Sequence, residues 1–132
     1  MPGVLRKSVS SIVETRREIV HAIGWPLSPN FWSPPTDVYE TEAAFVVKVE
    51  VAGMRDEDFE LGFDNHTLRI RGQRSDSTER RAYYQMEIRS GKFEIAVEIP
   101  TPIDAEQAIA EYKDGFLMVH LPKLRSQQVR IE

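Results

Sequence analysis

The chain has 132 residues, a formal net charge of −4 and no cysteine. Its length fits a single domain, since domains cluster at about 100–150 residues. Hydrophobic residues at 41% and charged residues at 29% are ordinary for a globular protein and exclude a wholly disordered one. Without cysteine there are no disulfides, thiolate metal sites or cysteine nucleophiles, and the net acidity argues against bulk nucleic-acid binding.

No targeting or membrane-spanning segment is evident in the sequence. No stretch approaches the ~18–20 consecutive apolar residues that a bilayer-spanning helix needs. Arg6 and Lys7 resemble the start of a signal peptide, but charged residues at 14–18 follow instead of an apolar core. We therefore expect a cytoplasmic protein with no stable membrane insertion.

Before residue 36, the sequence favours one amphipathic helix. Ser11 and Glu14 have the spacing of a capping box, and Gly24 with Pro26 forms a stop signal. The apolar residues of this segment recur at roughly three-and-four spacing; they are Val9, Ile12, Val13, Ile19, Val20 and Ile23. We predict an N-terminal arm over residues 1–33 that is partly helical or disordered.

From residue 36 the hydrophobic period becomes two, which is typical of strands with one buried and one solvated face. The clearest pattern covers residues 92–99. Other strands are predicted at 45–51, 67–72 and 116–121 and, from shorter patterns, at 38–40, 59–63, 83–88 and 108–112. Turn signals lie between them, among them the hairpin signal Asp114-Gly115. Seven or eight short strands separated by turns predict an all-β fold, an antiparallel β-sandwich.

The sequence carries no recognisable reaction centre. Its one Gly-Lys pair, Gly91-Lys92, lacks the earlier glycine of a P-loop, and neither the nucleophile-elbow nor the dinucleotide-binding glycine pattern is present. Asp64 and His66 amount to half a metal site, so a polar turn is the better interpretation of them. We expect no enzyme activity, no metal site and no cofactor.

An arginine-rich stretch offers one candidate for nucleic-acid binding. Residues 69–81 contain five arginines, and the aromatic residues Tyr83 and Tyr84 follow. Basic grooves with aromatic platforms bind single strands. The simpler interpretation places Arg69 and Arg71 on a solvated strand face and Arg80 in a polar loop. We therefore expect no specific nucleic-acid partner and keep single-strand binding as a minor alternative.

Large apolar residues also lie outside the predicted sandwich, in the N-terminal arm. They cannot all enter a core whose inward positions the strands already fill, and exposed apolar patches usually mark interaction sites. The residues predicted to bind other proteins are Val9, Ile12, Val13, Trp25, Phe31 and Trp32.

The C-terminal residues 124–132 form a polar tail with two isolated β-branched residues, Val129 and Ile131. In an extended conformation their side chains point the same way, which suits a groove at a sheet edge. A frayed tail accounts for the same residues equally well, and composition leaves both alternatives open.

Five segments between residues 34 and 123 have the order and spacing of one known family. They are 34–40, 45–53, 67–72, 91–100 and 112–123. Gly115 and Leu117 match that family's Gly-x-Leu signature turn, and Val129-Arg130-Ile131 matches its C-terminal motif. The chain thus resembles the small heat-shock proteins, which are built on the alpha-crystallin domain. The resemblance implies an immunoglobulin-like sandwich over 34–123, followed by a C-terminal extension over 124–132.

The resemblance also implies a function. Small heat-shock proteins are ATP-independent chaperones that bind partly unfolded client proteins and prevent their aggregation. By this resemblance, the apolar arm would bind clients. Members of the family are stored as large homo-oligomers built from dimers, and they use no cofactor.

Two interfaces follow from the same resemblance. A segment at about 73–89 would exchange with the sheet of a second copy; its residues are Tyr83, Tyr84, Glu87 and Arg89. The motif Val129-Arg130-Ile131 would bridge dimers by lying between two edge strands. The residues expected to accept it are Phe59, Leu61, Phe63, Ile109 and Tyr112.

The alternative function is that of a CS-type co-chaperone or adaptor domain. Such a domain shares the sandwich but binds one defined protein partner as a monomer. It has no need of the Val129-x-Ile131 motif or of an exchange segment.

Overall fold

The computed structural model describes residues 5–8 and 31–124. Seven strands lie between residues 36 and 122, and one more lies near the N-terminus. In chain order they are β1 (Leu5–Ser8), β2 (Thr36–Glu40), β3 (Ala44–Glu50), β4 (Phe59–Asp64), β5 (Thr67–Arg74), β6 (Gly91–Glu98), β7 (Ile109–Lys113) and β8 (Phe116–Pro122). Two single turns of 3-10 helix, Asp56–Asp58 and Ala105–Gln107, precede β4 and β7.

The strands form two antiparallel sheets. One sheet has five strands in the order β1-β7-β8-β3-β2, and the other has three in the order β4-β5-β6. Every strand pairing is antiparallel, so the predicted antiparallel sandwich is confirmed. Within the described ranges, no helix is long and apolar enough to cross a membrane.

The core lies between the two sheets and is filled by the residues that alternate inward. The three-stranded sheet contributes Leu61, Leu68, Ile70 and Phe93, and the five-stranded sheet contributes Val47, Val49, Leu117, Val119 and Leu121; all are fully buried. Burying one such side chain is worth roughly 1.5–3 kcal/mol. The period-two pattern therefore fixes both the strands and the face that each strand turns inward.

The signature turn joins β7 to β8 as a tight hairpin. Asp114 and Gly115 both have positive φ, 53° and 84°, the conformation that Asp-Gly hairpin turns require. The Gly115 carbonyl accepts a hydrogen bond of 2.8 Å from the backbone N–H of Val51, and Leu117 is fully buried directly after the turn. The turn therefore holds the β7–β8 hairpin against the end of β3.

The predicted strand at 83–88 is wrong for the single chain. Residues 75–90 have no regular secondary structure. A strand needs a neighbour for its backbone N–H and C=O groups, and no described strand lies beside this segment. Its alternating pattern therefore has no partner within one chain.

Part of the predicted arm and the whole tail motif lie outside the described residues. This applies to the predicted helix, to Val9, Ile12, Val13 and Trp25, and to Val129, Arg130 and Ile131. Phe31 is half-buried.

The prediction that Trp32 lies outside the sandwich is wrong. Its side chain is only 7% exposed, and its ring meets Phe93 edge-on, with 5.5 Å between the ring centroids. The indole N–H donates to the carbonyl of Gly91 at 3.1 Å. A buried tryptophan needs such an acceptor; because β6 supplies it, Trp32 belongs to the core.

Candidate interaction surfaces

The outer edge of β7 is covered by the chain's own N-terminus. Strand β1 runs antiparallel to β7, with Leu5 opposite Tyr112 and Ser8 opposite Ile109. Since β7 pairs with β8 on its other side, both of its backbone edges are occupied. This pairing was not predicted, because residues 5–8 lack an alternating pattern.

Two of the residues predicted to accept the tail are in contact, Phe59 on β4 and Tyr112 on β7. The ring of Phe59 lies 5.0 Å, between centroids, from that of Tyr112. Phe59, Leu61 and Phe63 share one face of β4 by alternation. Leu61 is fully buried, whereas Phe63 is half-buried and Ile109 is 39% exposed. Phe63 and Ile109 are therefore the accessible members of this group, and its contact with a tail stays a prediction.

Tyr112 braces the two sheets at this place. Its hydroxyl donates to the carbonyl of Val51 at 2.8 Å and accepts from the backbone N–H of Met54 at 3.2 Å. The ring is buried. These two hydrogen bonds thus hold the Tyr112 side chain in one position at the β7 edge.

At the opposite side of the five-stranded sheet, β2 is an open edge. It pairs with β3 alone among the described strands, and its last four residues are all exposed. They include two large apolar side chains, Val38 at 46% and Tyr39 at 43%. An exposed, partly apolar edge strand is a template for pairing with another chain.

The segment 75–90 exposes more large apolar side chains than any strand of the sandwich. Tyr83, Tyr84, Met86 and Ile88 are all exposed, and Tyr84 is fully so. Because apolar side chains clustered at the surface usually mark an interaction site, this segment is a candidate protein-binding surface.

Arg74 holds the far end of this segment against the sandwich. Its guanidinium donates to the carbonyl of Arg89 at 2.9 Å and to that of Ala52 at 3.3 Å. It also lies 4.5 Å above the ring of Trp32. Arg89 therefore contributes its backbone within one chain, while the predicted dimer roles of the Arg89 and Glu87 side chains stay predictions.

A second contact organises the near end of the segment. The carboxylate of Asp76 accepts hydrogen bonds from the backbone N–H of Ser77 at 2.8 Å and from the Tyr83 hydroxyl at 2.9 Å. Arg81 pairs with it at 3.1 Å. The pKa of Asp76 is lowered, mainly by the hydrogen bond from Ser77 and next by the one from Tyr83. The same bond to Asp76 raises the pKa of Tyr83. We call this group the Asp76 clasp.

The Asp76 clasp is expected to be sensitive to acid. Because the pKa of Asp76 is lowered, the clasp is complete above the ordinary aspartate value of about 3.9 and is lost as pH falls through the lowered pKa. Carboxyl-carbon NMR should find Asp76 titrating below that value. Asp76→Asn should bring the pKa of Tyr83 down towards the usual tyrosine value; identical Tyr83 titration in both chains would contradict the clasp.

The arginine stretch does not form a free basic groove. Arg69 on β5 lies 3.6 Å from the carboxylate of Glu94, whose side chain is buried, and Arg71 lies 5.3 Å from the centroid of the Phe31 ring. Both therefore have contacts within the sandwich, which favours the structural interpretation. Asp64 and His66 flank a turn, and the described residues contain no group of three or more metal-ligating side chains.

Comparison with known families decides the class of this sandwich. Residues 37–132 match the model of the Hsp20/alpha crystallin family. The chain belongs to that family. The resemblance to small heat-shock proteins is thereby confirmed.

Individual Hsp20 relatives agree with this assignment. The chain is 34% identical over 107 residues to heat shock protein 16 of Schizosaccharomyces pombe, which covers 77% of this chain and 74% of that protein. It is 31% identical over 100 residues to small heat shock protein C4 of Rickettsia felis, covering 74% of this chain. The match spans only 61% of C4 and 64% of the related R. felis protein C2.

Solved Hsp20 structures have the same fold. Heat shock protein 16.0 from S. pombe superposes with a TM-score of 0.63 at 33% identity, covering 76% of this chain and 99% of that one. A small heat-shock protein from Xylella fastidiosa superposes with a TM-score of 0.67 at 27% identity, covering 76% and 95%. The shared part is therefore the sandwich.

Proposed function

We propose that this protein is an ATP-independent holdase, which binds partly unfolded proteins through exposed apolar surface and prevents their aggregation. The observation that carries the proposal is the Hsp20 sandwich, since residues 37–132 match that family, together with the apolar residues of the arm that precedes it. Each apolar side chain of a client is worth roughly 1.5–3 kcal/mol when fully buried. Several such contacts hold a client without sequence specificity or nucleotide hydrolysis.

The building block that we propose is a dimer formed by strand exchange. The segment 75–90 has an alternating pattern but no neighbour, and β2 has a free edge with exposed apolar side chains. Pairing the segment of one copy with β2 of another satisfies the backbone of both and buries Val38 and Tyr39. The dimer thus gives backbone hydrogen-bond partners both to the segment 75–90 and to the open edge of β2.

Larger homo-oligomers are proposed to form through the tail. Val129 and Ile131 are two residues apart, so in an extended tail both side chains face one way. Their proposed site on a second copy is the β7 edge beside Phe63, at the register positions opposite Ala110 and Tyr112. A link that buries two side chains is weak and reversible, which suits storage and release of apolar surface.

Suppression of aggregation tests the holdase directly. A heat-aggregating client protein is warmed without ATP, and light scattering is followed as this chain is added. We expect dose-dependent suppression, because the chain buries the apolar surface that the client exposes. Deleting residues 1–30 should weaken the effect while leaving Trp32 in place. Unchanged scattering at a several-fold molar excess of the full chain would refute the holdase.

A further inference from the structure

Strand β1 lies on the sheet edge that the proposed tail link requires. Residues Leu5–Ser8 pair along β7, whose other side is paired with β8. A strand has one row of backbone donors and acceptors on each side. The edge of β7 therefore accepts either β1 or a tail from a second copy, but not both.

We propose that residues 5–8 form a placeholder strand, which covers the β7 edge within one chain and is displaced by the Val129-x-Ile131 motif of a second copy. This inference rests on the tail link proposed above. It assigns the first residues of the chain a role in controlling assembly, separate from client binding.

The register explains why the placeholder can be displaced. On β7, Ala110 and Tyr112 are buried, whereas Ile109 at the start of the strand is exposed. The residues opposite the two buried positions are Lys7 and Leu5, respectively. Residues directly opposite in an antiparallel pair belong to the same face of the sheet. At the register positions opposite the two buried residues of β7, the β1 sequence thus has one apolar residue and one lysine.

The tail motif is the better match to the same two positions. Val129 and Ile131 have the same two-residue spacing as Leu5 and Lys7, and both are apolar and β-branched, which favours strands. The placeholder has the advantage of being part of the same chain, which gives it a high effective concentration. At low protein concentration, strand β1 therefore covers the β7 edge. As the protein concentration rises, the tail of a second copy replaces it.

The test measures tail binding to the β7 edge directly. The full-length chain carrying Ile131→Ala, whose own tail is weakened, is titrated against a labelled peptide of residues 124–132, and binding is read by fluorescence polarisation. Three further chains in this background carry Lys7→Ile, Arg6→Ile or a deletion of residues 2–8. Arg6→Ile is the matched control, because it loses the same charge and gains the same side chain at the neighbouring position, opposite Glu111.

We expect Lys7→Ile to weaken peptide binding about tenfold, because an apolar residue opposite the buried Ala110 strengthens the placeholder. Arg6→Ile should change binding by less than about threefold, and the deletion should tighten it. Equal affinity in all four chains would overturn the placeholder alone. Binding by none of them would overturn it together with the tail link, and suppression of client aggregation by the unmodified chain would show that the holdase stands regardless.

Discussion

Replacing Gly72 with alanine is expected to destabilise the sandwich by about 2–3 kcal/mol, through overpacking of the core. A Cβ at this position on β5 would lie 2.3 Å from Cζ of Phe93 and 2.9 Å from the backbone carbonyl oxygen of Asp58. Phe93 is fully buried, and its ring is held edge-on between those of Trp32 and Phe59. It cannot turn away without displacing one of them.

Urea unfolding followed by circular dichroism measures this effect. Gly72→Ala should lower the midpoint markedly, since a few kcal/mol is a large fraction of the total stability of a domain. The adjacent Gln73 is exposed on the same strand, so Gln73→Ala serves as the control and should change stability by less than about 0.5 kcal/mol. Equal midpoints for Gly72→Ala and the unmodified chain would contradict the prediction, because they would show that the core accommodates the added methyl group.

Removing residues 129–132 is expected to convert the proposed large assembly into dimers or similarly small species. Ile131→Ala should do the same in part, because the buried portion of one isoleucine side chain contributes about 1.5–3 kcal/mol, or roughly a tenfold to hundredfold change in the affinity of each link. Many links act together in a large oligomer, so weakening every one of them has a steep effect on size.

Light scattering coupled to size exclusion gives the masses. Arg130→Ala is the matched control, since in an extended tail this residue points away from the face that Val129 and Ile131 share; it should leave the large assembly in place. An unchanged mass after deletion of 129–132 would show that another surface joins the dimers. A monomeric mass for the unmodified chain would favour the adaptor alternative.

Most of the sandwich was predictable because one face of each strand is buried and the other is wet. The pattern at 92–99 predicted β6 to within one residue, and the turn residues Asp114 and Gly115 placed the β7–β8 hairpin. These signals are local: each depends on residues within a few positions of one another. A pattern of this kind tells which side of a strand is inside but not which strands are neighbours.

The predictions from sequence failed where residues far away in the sequence decide the local structure. Residues 83–88 alternate like a strand, yet a strand forms only against a free edge, which the single chain does not offer there. Residues 5–8 show the reverse, since a free edge about 100 positions away in the sequence makes a strand of a segment without alternation. Trp32 was misplaced for a related reason: its site is built by Gly91 and Phe93 of β6.

Arg74 contacts Trp32 and the carbonyl of Arg89 with the same guanidinium group. The end of the N-terminal arm and the end of the segment 75–90 are therefore joined through one side chain. Free-energy coupling between two sites is reciprocal, so we expect a change that displaces Trp32 to weaken the attachment of the segment, and a change in the segment to weaken the packing of Trp32. In the proposed holdase, a client bound to the arm thus acts on the proposed subunit contact through the segment 75–90, and that contact in turn acts on the arm.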